Sequence, residues 1–242
     1  MAPARGPDAG GTARSRPGSL LIPAAALAVA ATCGSPTDSF VENLDISVCH
    51  QSAGPFSAAV TNPFFPLAVG TQWVLEGGPT RLEITVLSET ELVAGVTTRV
   101  LEERESEAGN LVEVSRNFFA QTQDGTVCYF GEDVDIYQGG VVVGHSGQWR
   151  AGSAGAVAGV FMPASPAPGM AFRQEVAPGV AEDRVVIAAA GESVTVPFGT
   201  FSETVRFLET TPLEPGASST KVYARNLGPL VDDVVRLTAK TP

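Results

Sequence analysis

The sequence predicts an all-β protein whose antiparallel strands, about ten to twelve of them, wind into a closed or half-closed barrel or a strongly curved sheet. Three observations lead there. Short runs rich in Val, Thr, Phe and Leu alternate apolar and polar residues; Gly, Pro and Asp-Gly punctuate them; and no amphipathic stretch of more than about ten residues has helical spacing. Parallel sheets need crossover helices, so nucleotide-binding βαβ folds are disfavoured. Closure removes the exposed edges that a flat sheet of this size would leave.

The elements follow in chain order. Arg5, Arg14 and Arg16 precede the apolar run 20–31, the layout of an export signal over residues 1–32. At about a dozen residues the run falls short of the roughly 20 that span a bilayer. Ala30-Ala31-Thr32-Cys33-Gly34 resembles a bacterial lipobox, which makes Cys33 the expected site of lipid attachment, although such boxes prefer Leu at the first position and Gly, Ala or Ser at the third; ordinary cleavage and secretion is the alternative. With Cys33 so used, Cys49 and Cys128 remain as an even pair in an oxidising compartment, and a disulfide between them is expected, two separate thiols being the alternative.

Residues 33–62, rich in Ser, Thr, Pro, Ala and Gly with one apolar patch at Leu44-Asp45-Ile46-Ser47-Val48, read as a tether and docking segment. Residues 63–242 read as a single β-rich domain. Arg81-Leu82-Glu83-Ile84-Thr85-Val86 puts Leu82, Ile84 and Val86 on one face and charge on the other, the pattern of a half-buried antiparallel strand. Similar runs recur at 96–105, 111–120, 185–189, 194–198, 201–209, 221–224 and 231–237, with Asp124-Gly125 as a hairpin turn before 126–130. The small residues and prolines of 150–170 interrupt this rhythm and read as a long loop that Phe161 and Met162 pin over the barrel mouth.

Charge and composition exclude several functions. Fifteen Lys and Arg against 26 Asp and Glu give a formal −11, a field that repels nucleic acid and anionic lipid, so no nucleic-acid partner is expected and membrane contact runs only through the anchor. The acidity belongs to the folded part, because the leader carries three Arg and one acid, Asp8. Only two histidines, His50 and His145, are present, too few for a multi-histidine metal centre within one chain. No cofactor is expected. Glu132, Asp133 and Asp135 form the densest acidic cluster and are a weak candidate for Ca²⁺, lacking the spacing of a known calcium loop.

Gly144-His145-Ser146-Gly147 looks like a nucleophile elbow, but Gln148 stands where glycine is needed and no helix follows, so a turn with a solvated histidine is expected. Arg173-Gln174-Glu175 and Glu182-Asp183-Arg184 flank a Pro178-Gly179 turn, which would bring Glu175, Glu182 and Asp183 together. They are then either the paired carboxylates of a hydrolase or, with the arginines, an ion-pair network. Arg116 continues the Val112-Val114-Phe118-Ala120 face, expected to be internal. It is thus either a buried cation awaiting a carboxylate or an anionic ligand, or is turned outward by a bulge.

Three segments carry a resemblance: Asn62-Pro63-Phe64-Phe65-Pro66-Leu67 with Gly70 and Trp73; Met162-Pro163-Ala164 with Phe172-Arg173-Gln174-Glu175 and the stretch from Gly179 to Asp183; and Val196-Pro197-Phe198-Gly199-Thr200-Phe201 with Tyr223-Ala224. Together they resemble an uncharacterised group of exported bacterial proteins and lipoproteins. The resemblance implies an envelope location and no particular reaction. The expected function is therefore an extracytoplasmic, lipid-anchored barrel that binds an apolar or amphipathic small molecule or an envelope component without catalysis. Its ligand-binding candidates are Arg116, Arg173, Glu175, Glu182, Asp183, Phe161 and Met162. A secreted hydrolase using paired carboxylates and a structural envelope protein are the alternatives.

Overall fold

The computed structural model describes residues 40–242; Cys33 and the leader lie outside the described residues. Strands β1 (Gln72–Gly77), β2 (Thr80–Val93), β3 (Val96–Glu107), β4 (Asn110–Gln121) and β5 (Val127–Gln138) form an antiparallel meander. The short β6 (Val141–Gly144) and β7 (Trp149–Arg150) pair with β5. Then come β8 (Val157–Met162), β9 (Ala171–Arg173), β10 (Glu175–Val176), β11 (Arg184–Ala190), a separate hairpin of β12 (Val194–Val196) and β13 (Gly199–Phe201), β14 (Thr204–Thr210), β15 (Ser218–Ala224), β16 (Gly228–Asp232) and β17 (Val235–Thr241). The main sheet runs β10-β8-β5-β4-β3-β2-β1-β17-β16-β15-β14-β11-β9, an all-β antiparallel barrel that is nearly closed, with one seam.

Chain continuity closes that seam. The two sheet ends, β9 and β10, are separated by Gln174 alone, so one extended segment pairs with β11 through its first half and with β8 through its second. The contact is tight: a Cβ on Gly159 of β8 would stand 2.4 Å from the Gln174 carbonyl oxygen and 2.7 Å from that of Arg173. Glycine is the residue that admits such an approach.

Residues 150–170 are not the long loop expected. They contain the end of β7 and all of β8, and Phe161 and Met162 are buried in the wall instead of lying across a mouth. The small residues have a packing reason, because β8 is pressed between the interior and a 3-10 turn (Ile46–Cys49) of the docking segment. The 231–237 run is likewise two strands, broken by a turn at Asp233 and Val234. The Asp124-Gly125 turn forms as expected: Gly125 has φ +99 and the Thr126 N–H donates to Asp124 Oδ1 at 3.1 Å.

The docking segment covers the outside. The Cys49 and Cys128 sulfurs are at bonding distance, 1.98 Å, across a sequence separation of 79. A loop of that length stabilises a fold by about 4–5 kcal/mol through chain entropy. The N–H groups of Asn43 and Leu44 donate to the Ala171 carbonyl at 2.9 and 3.1 Å, and Arg173 pairs with Glu42 at 3.1 Å.

The interior has two zones. At the end that holds the β2–β3 and β4–β5 turns, residues 62–67 fold in as a plug. The Phe65 ring lies 5.2 Å from Phe119, 4.4 Å from Phe161 and 6.1 Å from Tyr223. Asn62 fixes the plug by donating to the Gly125 and Pro163 carbonyls at 2.9 and 3.0 Å. Trp73 closes one side, its Nε1–H donating to the Leu227 carbonyl at 2.7 Å. The opposite end, which holds the β1–β2 and β3–β4 turns, is acidic.

Candidate functional site

Register builds the acidic zone. Glu105 stands opposite Glu113 and Glu103 opposite Ser115 across β3 and β4, while Asn117 stands opposite Glu132 across β4 and β5. Paired residues share a face, so all six line the interior. From the other wall β14, β15 and β16 supply Glu209, Ser219, Lys221 and Asp232, all buried. The seam supplies Gln174 and Glu175, both buried, and Asp183 next to them, whose carbonyl accepts the N–H groups of both at 2.8 and 3.2 Å.

Among the described residues, Lys221 is the buried cation of this ring of acids, its Nζ 2.7 Å from Glu209 Oε2. Burial alone would lower its pKa, but Glu209 and Asp232 outweigh that and hold the ammonium well above its ordinary value. The acids shift upward. Burial first, then the Asp232 charge, pushes Glu103 up to about 8. Burial raises Asp183 and Asp232 to about 7 each, with Glu209 adding to both. Glu103, Glu105, Glu113 and Ser115 enclose, with Leu82, a well of about 10 Å³. That is room for about one water, so Glu103 touches solvent while protein surrounds it. Glu132 and Glu175 are 0% and 1% exposed. Burial first raises both well above the carboxylate range; Glu113 and Glu103 add to the shift at Glu132, and Asp183 and Glu132 to that at Glu175.

Of the three hairpin acids, Glu175 and Asp183 enter this zone. Glu182 does not, because its carboxylate turns outward to accept the Gly179 N–H at 2.7 Å. Nor do the neighbouring arginines neutralise the pair: Arg173 is held outside by Glu42, and Arg184 lies over the Phe40 ring at 5.1 Å. Arg116 is also outside, 43% exposed and 3.0 Å from Glu102. The expectation that Val112, Val114, Phe118 and Ala120 face inward is corrected: the inner face of β4 is Glu113, Ser115, Asn117 and Phe119. The apolar outer face is covered, in part by Arg150, whose guanidinium sits 4.7 Å above the Phe118 ring.

Strand alternation likewise separates Glu132 from Asp133 and Asp135. Glu132 points inward, Asp133 bonds Arg150 at 3.0 Å, and Asp135 approaches Arg116 and His145, the latter at 3.1 Å. The three do not converge, and among the described residues no group of three or more His, Cys, Asp or Glu side chains is arranged to hold a metal ion. His145 is largely exposed in its turn, as the sequence implies. Glu103, Glu105, Glu113, Glu209, Lys221 and Asp232 were not singled out by the sequence. The available signal was the alternation of Glu103 and Glu105, mirrored by Glu113, Ser115 and Asn117 across the Gly109 turn.

A second feature lies outside the wall. Phe40, Val41 and Asn43 on one side and the loop Thr211–Ala217 on the other bound a groove of about 620 Å³ whose floor is Val186 and Leu208 on the outer faces of β11 and β14. No family model matches the chain, and neither a curated protein nor a solved structure does.

Proposed function

We propose that this protein is an extracytoplasmic barrel module, tethered through lipid on Cys33, that holds one amphipathic small molecule in the groove between residues 40–43 and the β14–β15 loop. The observation that carries this reading is the groove itself. Its volume of about 620 Å³ falls within the roughly 300–1,000 Å³ of small-molecule sites, and Phe40, Val186, Leu208, Pro212 and Pro215 give it an apolar lining. Val41 at 75% and Leu208 at 40% exposure leave apolar surface in water that a bound acyl chain would cover. Thr210 and Ser218 add polar residues to the lining.

Position supports an amphiphile. Six residues lie between Cys33 and Phe40, so the seven chain steps keep an anchored groove within about 25 Å of the bilayer that would supply such a molecule. A binding role is preferred to hydrolysis because the unusual carboxyls, Glu132 and Glu175, are enclosed among the described residues and do not line the groove. Native mass spectrometry of protein from its own host should show one retained amphiphile. Leu208→Glu and Val186→Glu should weaken a fluorescent fatty acid at least ~10-fold, about 1.4 kcal/mol, and Cys33→Ser should release the protein from membranes. Undiminished affinity in both groove variants would overturn the site, and unchanged fractionation of the Ser variant would overturn the anchor.

A further inference from the structure

We propose that the seam of the barrel is a closure held by protons: β10 stays docked on β8 while the Glu175 and Glu132 carboxyls are neutral, and the wall opens there when they ionise. This inference is independent of the groove.

The seam is one of the two narrowest pairings along the barrel wall, matched by β16 with β17. β10 contributes two residue pairs, Glu175 with Ala158 and Val176 with Val157, so one of its two residues is a fully enclosed acid. Orphaned polarity is concentrated beside it. Among the described residues, six buried side-chain polar atoms without a hydrogen-bond partner belong to four residues here: both oxygens of Glu132, both of Glu175, Trp149 Nε1 and Gln174 Nε2. Trp149 stands opposite Glu132 in register, which ties the group together.

The neighbours are mostly acids, and the cation among them, Lys221, offsets only part of the cost of a charge at Glu175. Glu175 faces Asp183 from the segment after the hairpin, Glu132 from β5, Lys221 from β15 and Glu209 from β14. Glu132 faces Glu113 from β4, Glu103 from β3, Asp183, and Tyr129 from its own strand. Lys221, the one cation among these, is engaged by Glu209 at 2.7 Å. The Tyr129 hydroxyl approaches Glu132 but donates its single proton to Asn117. A neutral carboxyl is tolerable in such a place, whereas an ionised one with neither cation nor donor bonded to it is not, and two of them repel. Burial and the surrounding acids accordingly favour the protonated form of both.

Water has a short path. A cleft of about 220 Å³, lined by Trp149, Ala156, Ala177 and Pro178 among others, lies outside the point where β8 and β10 meet. Relief of two buried charges requires little more than release of the two β10 pairs, because Pro178 and Gly179 follow within a turn. The β2–β3 and β3–β4 ladders also carry interior acids, Glu103 and the facing Glu105 and Glu113, but eleven and nine register pairs hold them against two at β10, and they are expected to stay closed.

Hydrogen exchange by mass spectrometry on the full chain, between pH 5.5 and 9 and corrected for intrinsic rates, tests this. Amides of 157–162 and 174–177 should lose protection by ~10-fold or more at pH 9 while those of β2 and β3 keep theirs. E175Q and E132Q, which preserve shape without the charge, should each retain seam protection at pH 9; if one fails to fold, the other carries the comparison. Seam protection that ignores pH in the wild type, an unaltered pH response in the folded variants, or uniform loss over all strands would each overturn the proposal.

Discussion

The two ends of the same interior are built on opposite principles. The plugged end is filled by Phe65, Phe119, Phe161, Tyr129 and Tyr223, whose rings meet edge to face, tilted or stacked at 4.4 to 6.2 Å. Its stability comes from apolar area and ring geometry, neither of which responds to pH. The acidic end places Glu103, Glu132, Glu175, Asp183, Glu209 and Asp232 around a single lysine, so its stability depends on how many protons it holds. The difference teaches that one barrel can be rigid at one end and conditional at the other, with the seam at the conditional end.

The comparison breaks if both ends answer to the same variable. The largest effects should come from one substitution at each. Lys221→Met leaves Glu209 buried without its counter-charge and should cost roughly 3–5 kcal/mol at pH 7.5, less at pH 4, where Asp232 and Glu103 are neutral and need no cation. Phe65→Ala empties the plug and should cost a similar ~3–5 kcal/mol, equally at both pH values. Denaturant melts of both variants at the two pH values decide the matter, and a pH-independent loss for Lys221→Met would refute the division.

The wild type itself sharpens it. Unfolded carboxyls titrate near 4, whereas Glu103 does so at about 8 and Asp183 and Asp232 at about 7 in the folded chain. The folded state therefore binds more protons throughout this window. Stability is full below about pH 4 as far as these groups are concerned and is lost as pH rises through 7 to 8. One such proton retained over three pH units is about 4 kcal/mol, or roughly 8–16 °C in Tm for a chain of this size. Calorimetry at pH 5 and pH 8.5 should find the lower pH more stable by at least that much; a flat or inverted profile is the contrary outcome. The smallest effect belongs to Arg116→Ala, which removes a half-exposed pair with Glu102 and should change stability by less than ~1 kcal/mol at either pH. A larger loss would show that the outer face matters as much as the inner.

Much of the fold is legible in the sequence where one face of a strand is oily and the other charged. Leu82, Ile84 and Val86 are buried as their alternation requires. The same rule misleads on β4, where Val114 and Phe118 are outside, Phe118 under Arg150, and the polar set is inside. Alternation reports that a strand has two faces; it cannot say which one the barrel encloses when both are covered. The candidate site shows the same limit. Glu175 and Asp183 are drawn together by the Pro178-Gly179 turn, a local signal, but their partners Glu132, Glu209 and Lys221 come from strands distant in sequence. Glu182, next in line to Asp183, turns away to cap Gly179.

The sequence by itself determined the strand class and the Asp124-Gly125 turn, because both rest on short-range stereochemistry, and it made Cys49 and Cys128 the expected pair once Cys33 is set aside; their bonding distance is a tertiary finding. Tertiary structure alone decided that residues 157–162 are wall and not lid, that the polar face of β4 looks inward, and that β9 and β10 join opposite edges of one sheet through Gln174. Those outcomes depend on which strands become neighbours when the sheet curls shut, a property of closure that no single segment carries.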